Sequence, residues 1–238
     1  GMLLNIARHP GLVEIFAYQG NDGTNTALHV GFRDSNVFMF AFYANDLDTA
    51  ATYTDTEWHH WACTYDAATK QQRIYRDGEV VATRTALAHF QGTGVLTIGR
   101  RTDSGSAFKG QLAEVRVWDR ARTQDEVRAG MRLRLTGNEA GLLGLWPLAA
   151  ETAGTTPDLS PNQRHGALTR VSFLRTTDLP LAGGVDVVSA EYTTVGVSAD
   201  GTQQGLMRRC FGVAQGGGTR FVHDARVEAL TLQWIGNA

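Results

Sequence analysis

Along most of this chain apolar residues fall in short runs, several of them alternating with polar residues, and stretches rich in glycine, aspartate and other polar residues separate the runs. That is the period of half-buried β-strands separated by turns. Residues 26–33 (TALHVGFR) and 37–43 (VFMFAFY) are rich in β-branched and aromatic residues, and Asp34-Ser35-Asn36 between them predicts a hairpin. Residues 58–65 (WHHWACTY), 72–76 (QRIYR) and 79–84 (EVVATR) read as a meander, with Asp77-Gly78 forming its second turn. Further strands are predicted at 95–99, 112–118 and 142–147. Asp158 to Asn162 sets up a turn before 165–168. One helix is expected, opening at Thr123, where Glu126 completes a capping box and Val127 and Met131 share a face.

The stretch 175–184, with Pro180 and Gly183-Gly184, is the predicted boundary between a larger unit, 1–175, and a small β-rich segment, 185–238. In that segment 186–198, 206–214 and 227–235 read as strands. About ten to thirteen strands and one helix predict an all-β, antiparallel two-sheet sandwich with an additional C-terminal β segment. On strand 58–65, Trp61, Cys63 and Tyr65 are assigned to the core and His60, Ala62 and Thr64 to the opposite face. Trp118 and Trp146 are assigned to the core as well.

Composition narrows the function classes. Basic residues (22) and acidic residues (24) are spread along 238 residues, with no stripe able to neutralise a phosphate backbone, so nucleic acid is not an expected partner. No apolar run is long enough to insert in a bilayer. Of the two cysteines, Cys63 and Cys210, each falls in a strand-like stretch and is read as a small core residue rather than half of a disulfide. Gly1 ahead of Met2 is read as the remnant of a removed expression tag.

Several segments together carry a family resemblance. WHHWACTYD at 58–66, RDGEVVA at 76–82, LTIGR at 96–100 and KGQLAEVRVWDRARTQDEV at 109–127 follow in order, succeeded by the strand around Trp146 and DLSPNQRHGAL at 158–168. Over about residues 12–175 the chain resembles the laminin G-like jelly roll of the concanavalin A-like lectin/glucanase superfamily. The resemblance implies a recognition module in an extracellular or cell-surface setting. It departs from the family in two places. Residues 2–15 do not match the usual opening strands, and an unfilled place in a sheet exposes unpaired backbone groups. Residues 186–198 or 227–235 are therefore expected to pair into the vacant edge. Relatives also carry a calcium-binding aspartate where this chain has Ala113, so no cofactor is expected, and Asp22 and Asp103 are the nearby-loop candidates for a calcium ion.

Glycosidases of this superfamily place carboxylates in an E-x-D-x-x-E strand pattern, so that two of them flank one bond. No such pattern occurs here. Glu114 with Asp119 and Asp186 with Glu191 have odd spacing, which turns the two side chains to opposite faces, and Asp224 with Glu228 brackets a turn. His59 and His60 are adjacent, so on a strand they too face apart and cannot grip one metal. The expected function is non-catalytic binding of carbohydrate or a glycoconjugate. The alternative is a protein-binding or architectural adhesion module, with glycoside hydrolysis a distant third. The loop 43–53 gathers Tyr43, Asn45, Asp46, Asp48 and Tyr53, an aromatic and planar-polar set suited to sugars, and His60 is added as the family's strand histidine.

Overall fold

A computed structural model describes residues 1–6, 14–101, 108–149, 154–168, 179–181, 190–197, 203–210 and 230–231. Its elements are β1 (Met2–Ile6), β2 (Glu14–Gly20), β3 (Ala27–Phe32), β4 (Val37–Ala41), β5 (Asp46–Thr52), β6 (Trp58–Asp66), β7 (Gln71–Arg76), β8 (Glu79–Thr85) and β9 (Leu96–Ile98). They continue with β10 (Gly110–Ala113), β11 (Val115–Trp118), α1 (Gln124–Gly130), β12 (Leu142–Trp146), β13 (Thr155–Thr156), β14 (Gly166–Ala167), β15 (Ala190–Val197), β16 (Gln203–Cys210) and β17 (Leu230–Thr231). All the strand pairs are antiparallel.

Two five-stranded sheets carry the first unit, Gly1–Leu181, in the orders β10-β1-β6-β7-β8 and β5-β4-β3-β2-β9. The chain's own N-terminal residues supply one strand to each of these sheets. β1 lies between β10 and β6, and β2 between β9 and β3. The second unit begins at Ala182, and in it β15 pairs with β16 and β16 with β17.

The inward positions follow the predicted alternation. Val30 and Phe32 of β3, Phe38 and Phe40 of β4, and Phe42 and Leu47 around the next turn join Trp61, Ile74, Val115 and Trp146 in one buried cluster. Cys63 and Tyr65 pack against it. Burial pushes the Cys63 thiol up to about 12, so it sits in the core as an uncharged apolar group. On the opposite face of β6, Ala62 packs with Tyr75 and Val127, so α1 covers part of that sheet's exterior. The helix has the expected capping box: Glu126 N–H donates to Thr123 Oγ1, and Glu126 Oε2 accepts from Thr123 N–H at 2.9 Å. The Asp77-Gly78 turn lies beneath it. Gly78 has φ +82°, and a Cβ there would stand 2.6 Å from Arg128 Cγ, so this turn needs glycine for both its backbone and its neighbour.

Three expectations are corrected. Residues 43–53 are not one loop: a tight turn ends at Asn45 and β5 runs from Asp46, its outward positions being acidic residues that disguise a strand. The strand expected over 112–118 is broken at Glu114, whose φ of +53° separates β10 from β11. Trp118 is only half-buried and outside the core cluster, with the Arg122 guanidinium 4.1 Å from its ring centroid, because Val115 and Val117 take the inward positions of β11.

Asp158 ties the end of the domain together. Its carboxylate accepts from Leu145 N, Ser160 N, Arg164 N and Ser160 Oγ, each at 2.9 Å. Burial opposes its charge, but these hydrogen bonds outweigh it and hold the carboxyl below its ordinary value near 3.8. A depressed carboxyl contributes stability above its unfolded-state pKa and loses it as pH falls through the folded-state value. Asp158→Asn should therefore cost about 1–3 kcal/mol at pH 7 and flatten the acid limb of stability below about pH 4, measured by urea denaturation across pH. A chain ending at Leu181 should remain monomeric and unfold cooperatively, because both five-stranded sheets are complete within it. Loss of cooperative unfolding would show instead that the C-terminal segment completes an edge.

Candidate functional site

The outward positions of the β5-β4-β3-β2-β9 sheet form one row across all five strands. The register places Asp46 beside Ala41, Ala41 beside His29, His29 beside Tyr18, and Tyr18 beside Thr97. In the next row Asp48 neighbours Met39 and Met39 neighbours Gly31. These residues alternate with Phe38, Phe40, Val30 and Phe32 of the core, so they share the exterior face. Tyr18, Ala27, Met39 and Ala41 make a small apolar floor there.

Polar side chains roof this floor. Arg33, directly after β3, donates from Nε to Asp48 Oδ2 at 2.7 Å and from Nη2 to Asp46 Oδ2 at 2.9 Å. Both carboxylates are on β5, so the guanidinium spans the intervening β4. On the other side Tyr18 stacks on His29, with centroids 5.1 Å apart, and the Arg101 guanidinium lies 5.7 Å from the Tyr18 ring while donating to Asp22. His29 Nε2 is 3.6 Å from Asp22 Oδ1 and has no hydrogen-bond partner among the described residues. Burial, partly opposed by Asp22, lowers the His29 pKa and keeps the imidazole neutral at pH 7.

Tyr43 stands at the end of this face, 39% exposed, its ring 6.0 Å from His29 and edge-on to it. It is held there by an unusual turn. Tyr43 and Ala44 have φ of +62° and +56°, and Phe42 N–H donates to Asn45 O at 3.2 Å, which makes a two-residue type I′ hairpin without glycine or asparagine at its centre. Each left-handed L-residue costs roughly 1–2 kcal/mol, so neighbours must hold the turn. Asn45 does so. Its Oδ1 accepts from Arg84 Nη2 at 2.6 Å and Leu87 N at 2.9 Å, and its Nδ2 donates to Asn25 Oδ1 at 2.6 Å and Ala88 O at 3.0 Å.

The residues singled out from sequence thus fall into separate places. Asp46 and Asp48 are joined through Arg33 on the exterior face, and Tyr43 stands at the end of that face next to His29. Asn45 lies beneath it, 1% exposed and fully engaged. Tyr53 packs edge-on against Trp61 at 5.0 Å under the Arg76 guanidinium, and burial raises its phenol pKa. His60 is buried on the exterior of the other sheet, where burial and the nearby Arg116 push its pKa well below the ordinary value. Tyr18, His29, Arg33 and Arg101 were missed. The outward parity of His29 was readable within 26–33, but the Arg33 bridge depends on β5, which was not recognised.

Asp22, one calcium candidate, is ion-paired with Arg101, and Asp103 lies outside the described residues. Among the described residues no group of three or more His, Cys, Asp or Glu side chains is placed to hold a metal. His59 has Asp55 at one ring nitrogen (2.7 Å) and Asp77 at the other (2.6 Å), so those carboxylates lie on opposite sides of it. Glu114 is 3% exposed and bound to Arg116 at 2.9 Å, whereas Asp119 is exposed, and the side chains of Asp186, Glu191, Asp224 and Glu228 lie outside the described residues. No described helix is long and apolar enough to cross a membrane.

A laminin G-type profile of the concanavalin A-like lectin/glucanases superfamily matches residues 4–128, more than half of the chain, and the chain belongs to that superfamily. Among curated proteins it is 31% identical over 97 residues to neuronal pentraxin-2 of Cavia porcellus, covering 36% of this chain and 23% of that protein. The human neuronal pentraxin-2 is 31% identical over 84 residues, covering 31% of this chain and 20% of that protein. The chain therefore spans about a quarter or less of the length of these relatives. Among solved structures, one from Bacteroides ovatus ATCC 8483, provisionally described as a carbohydrate binding protein, superposes with a TM-score of 0.60 at 23% identity, covering 76% of this chain and 54% of that one. At that identity the likeness shows the shared fold.

Replacing Asn45 by alanine strands the Arg84 guanidinium and the Leu87 amide and releases a strained turn. The expected loss is about 2–4 kcal/mol of stability, read by chemical denaturation. An N45A protein of native stability would show that the joint is not a structural requirement.

Proposed function

We propose that this domain is a lectin-like recognition module that holds carbohydrate or a glycoconjugate, without cleaving it, on the exterior of the β5-β4-β3-β2-β9 sheet. The observation that carries the reading is that the exposed Tyr43 ring, edge-on to His29, shares a face with the Arg33, Asp46 and Asp48 bridge. An aromatic ring offers a stacking surface for the apolar face of a pyranose, and the guanidinium and carboxylates offer planar donors and acceptors to its hydroxyls. Membership in a lectin-bearing superfamily and the carbohydrate-binding description of the Bacteroides ovatus protein support it. The separation of Glu114 from Asp119 supports the absence of hydrolysis, because a retaining or inverting couple needs two carboxyls facing one bond.

A second reading has its own observation. Leu87 and Val95, 76% and 75% exposed, project from the segment joining β8 to β9 and favour a protein-binding or adhesion role for that end of the domain.

A glycan array with and without calcium tests the first reading. Binding is expected, with Tyr43→Ala weakening it about tenfold, the equivalent of ~1.4 kcal/mol, while calcium changes neither binding nor melting temperature. Undiminished binding by Y43A would move the site elsewhere, and a calcium-induced rise in melting temperature would contradict the metal-free reading of Ala113.

A further inference from the structure

We infer that this face selects neutral sugar units and discriminates against acidic ones such as uronates; the inference rests on the recognition reading above and names its ligand class. Two carboxylates on this face share one guanidinium. Among the described residues, the face presents the carboxylates of Asp22, Asp46 and Asp48 and the guanidiniums of Arg33 and Arg101. Arg33 is shared by Asp46 and Asp48, and Arg101 is bound to Asp22. Around Arg33 the carboxylates therefore outnumber the guanidinium by one, and the nearby Arg84 guanidinium is engaged by Asp46 O and Asn45 Oδ1 rather than by a carboxylate. His29 adds no positive charge, since its imidazole is neutral at pH 7.

The hydrogen-bonding pattern at this bridge disfavours a carboxylate ligand. Arg33 between two carboxylates presents donor N–H groups flanked on both sides by acceptor-only oxygens. Neighbouring hydroxyls of a sugar fit this alternation, because each can donate to an aspartate while accepting from the guanidinium. A uronate carboxylate can only accept. To reach Arg33 it must displace Asp46 or Asp48 and leave that aspartate facing a like charge. Both aspartates are fixed on a strand and cannot swing away with a loop. The Tyr43 ring, 39% exposed, is indifferent to the choice, since stacking uses the C–H face common to hexoses and their uronates.

The test uses the unmodified protein and paired probes: neutral gluco-, galacto- and manno-configured tetrasaccharides, and the uronate tetrasaccharide of each configuration. Calorimetric titration is run at low and at high sodium chloride. The expected result is binding in at least one neutral series, with the matched uronate about tenfold weaker or worse at low salt and the gap narrowing as salt screens the repulsion between the uronate and the two aspartates. Asp48→Asn should narrow the gap in the same direction at low salt. Equal or tighter binding of the uronates, or a gap indifferent to salt and to D48N, overturns the selectivity while leaving the recognition reading in place. Binding of neither series, at concentrations that saturate ordinary lectins, overturns both.

Discussion

The two sheets are registered against each other by one aromatic contact. Phe38 of β4 and Trp61 of β6 lie face to face, centroids 3.9 Å apart and planes within 3°, with Phe32 and Tyr53 meeting the Trp61 ring edge-on. Side chains of this size fill the space between the layers, so neither strand can slip by one residue without expelling its whole inward set. For β4 that set is Phe38 and Phe40, with Phe42 just beyond, and no exterior position could accommodate it. Everything on the outside is then determined by parity. Asp46, Ala41, His29 and Tyr18 are neighbours on the exterior because Leu47, Phe40, Val30 and Ala17 are neighbours in the core.

The edge of the sandwich is where fold and site meet. β5 and β8 are the terminal strands of their respective sheets and lie in contact with each other. Exposed strand edges invite unwanted pairing, and this pair is closed by side chains: Arg84 from β8 donates to the Asp46 carbonyl and to Asn45 Oδ1. The same asparagine steadies the left-handed Tyr43-Ala44 turn. A residue that holds the edge shut thus also aims the aromatic ring at the exterior face, so the strain of that turn is maintained by contacts that the sandwich requires in any case.

Much of this was legible in the sequence. The β3–β4 hairpin, the β6–β7–β8 meander and the capped helix follow from alternation, turn residues and the Thr123–Glu126 spacing, because in each case local preference and tertiary packing agree. β5 was hidden because its run, DLDTAAT, puts aspartates on the exterior, a pattern that local propensity reads as a loop; its pairing with β4, the buried Leu47 and the cross-strand Arg33 bridge hold it as a strand. Trp118 misled for the opposite reason, since a tryptophan in an apolar run reads as core until the break at Glu114 and the stacked Arg122 are known. Tyr43, Asp46 and Asp48 were found by their proximity in sequence, which placed Asn45 and Tyr53 beside them. Proximity along the chain cannot distinguish a side chain that faces outward from one that anchors the turn below it.

The two exterior faces are unequal, and the buried Glu114–Arg116 pair accounts for the difference. Both side chains are almost fully buried, 3% and 4% exposed, where an ion pair gains little net stability over apolar packing because of the desolvation both charges have lost. Its effect is positional. Besides Glu114, Arg116 donates from Nη1 to Gly130 O at 2.7 Å and from Nη2 to Leu133 O, the carbonyls that end α1 and the turn after it. Seated in this way, α1 lays Val127 against Ala62 and Tyr75 and covers the exterior of β6 and β7, where His60 is also buried. The opposite sheet has no helix among the described residues and leaves Tyr43, Arg33, Asp46 and Asp48 partly open to solvent. Glu114 on the helix-bearing side is enclosed with Arg116, and Asp46 and Asp48 on the open side stay partly exposed to solvent. The difference in exposure between the two faces therefore follows from where α1 is anchored.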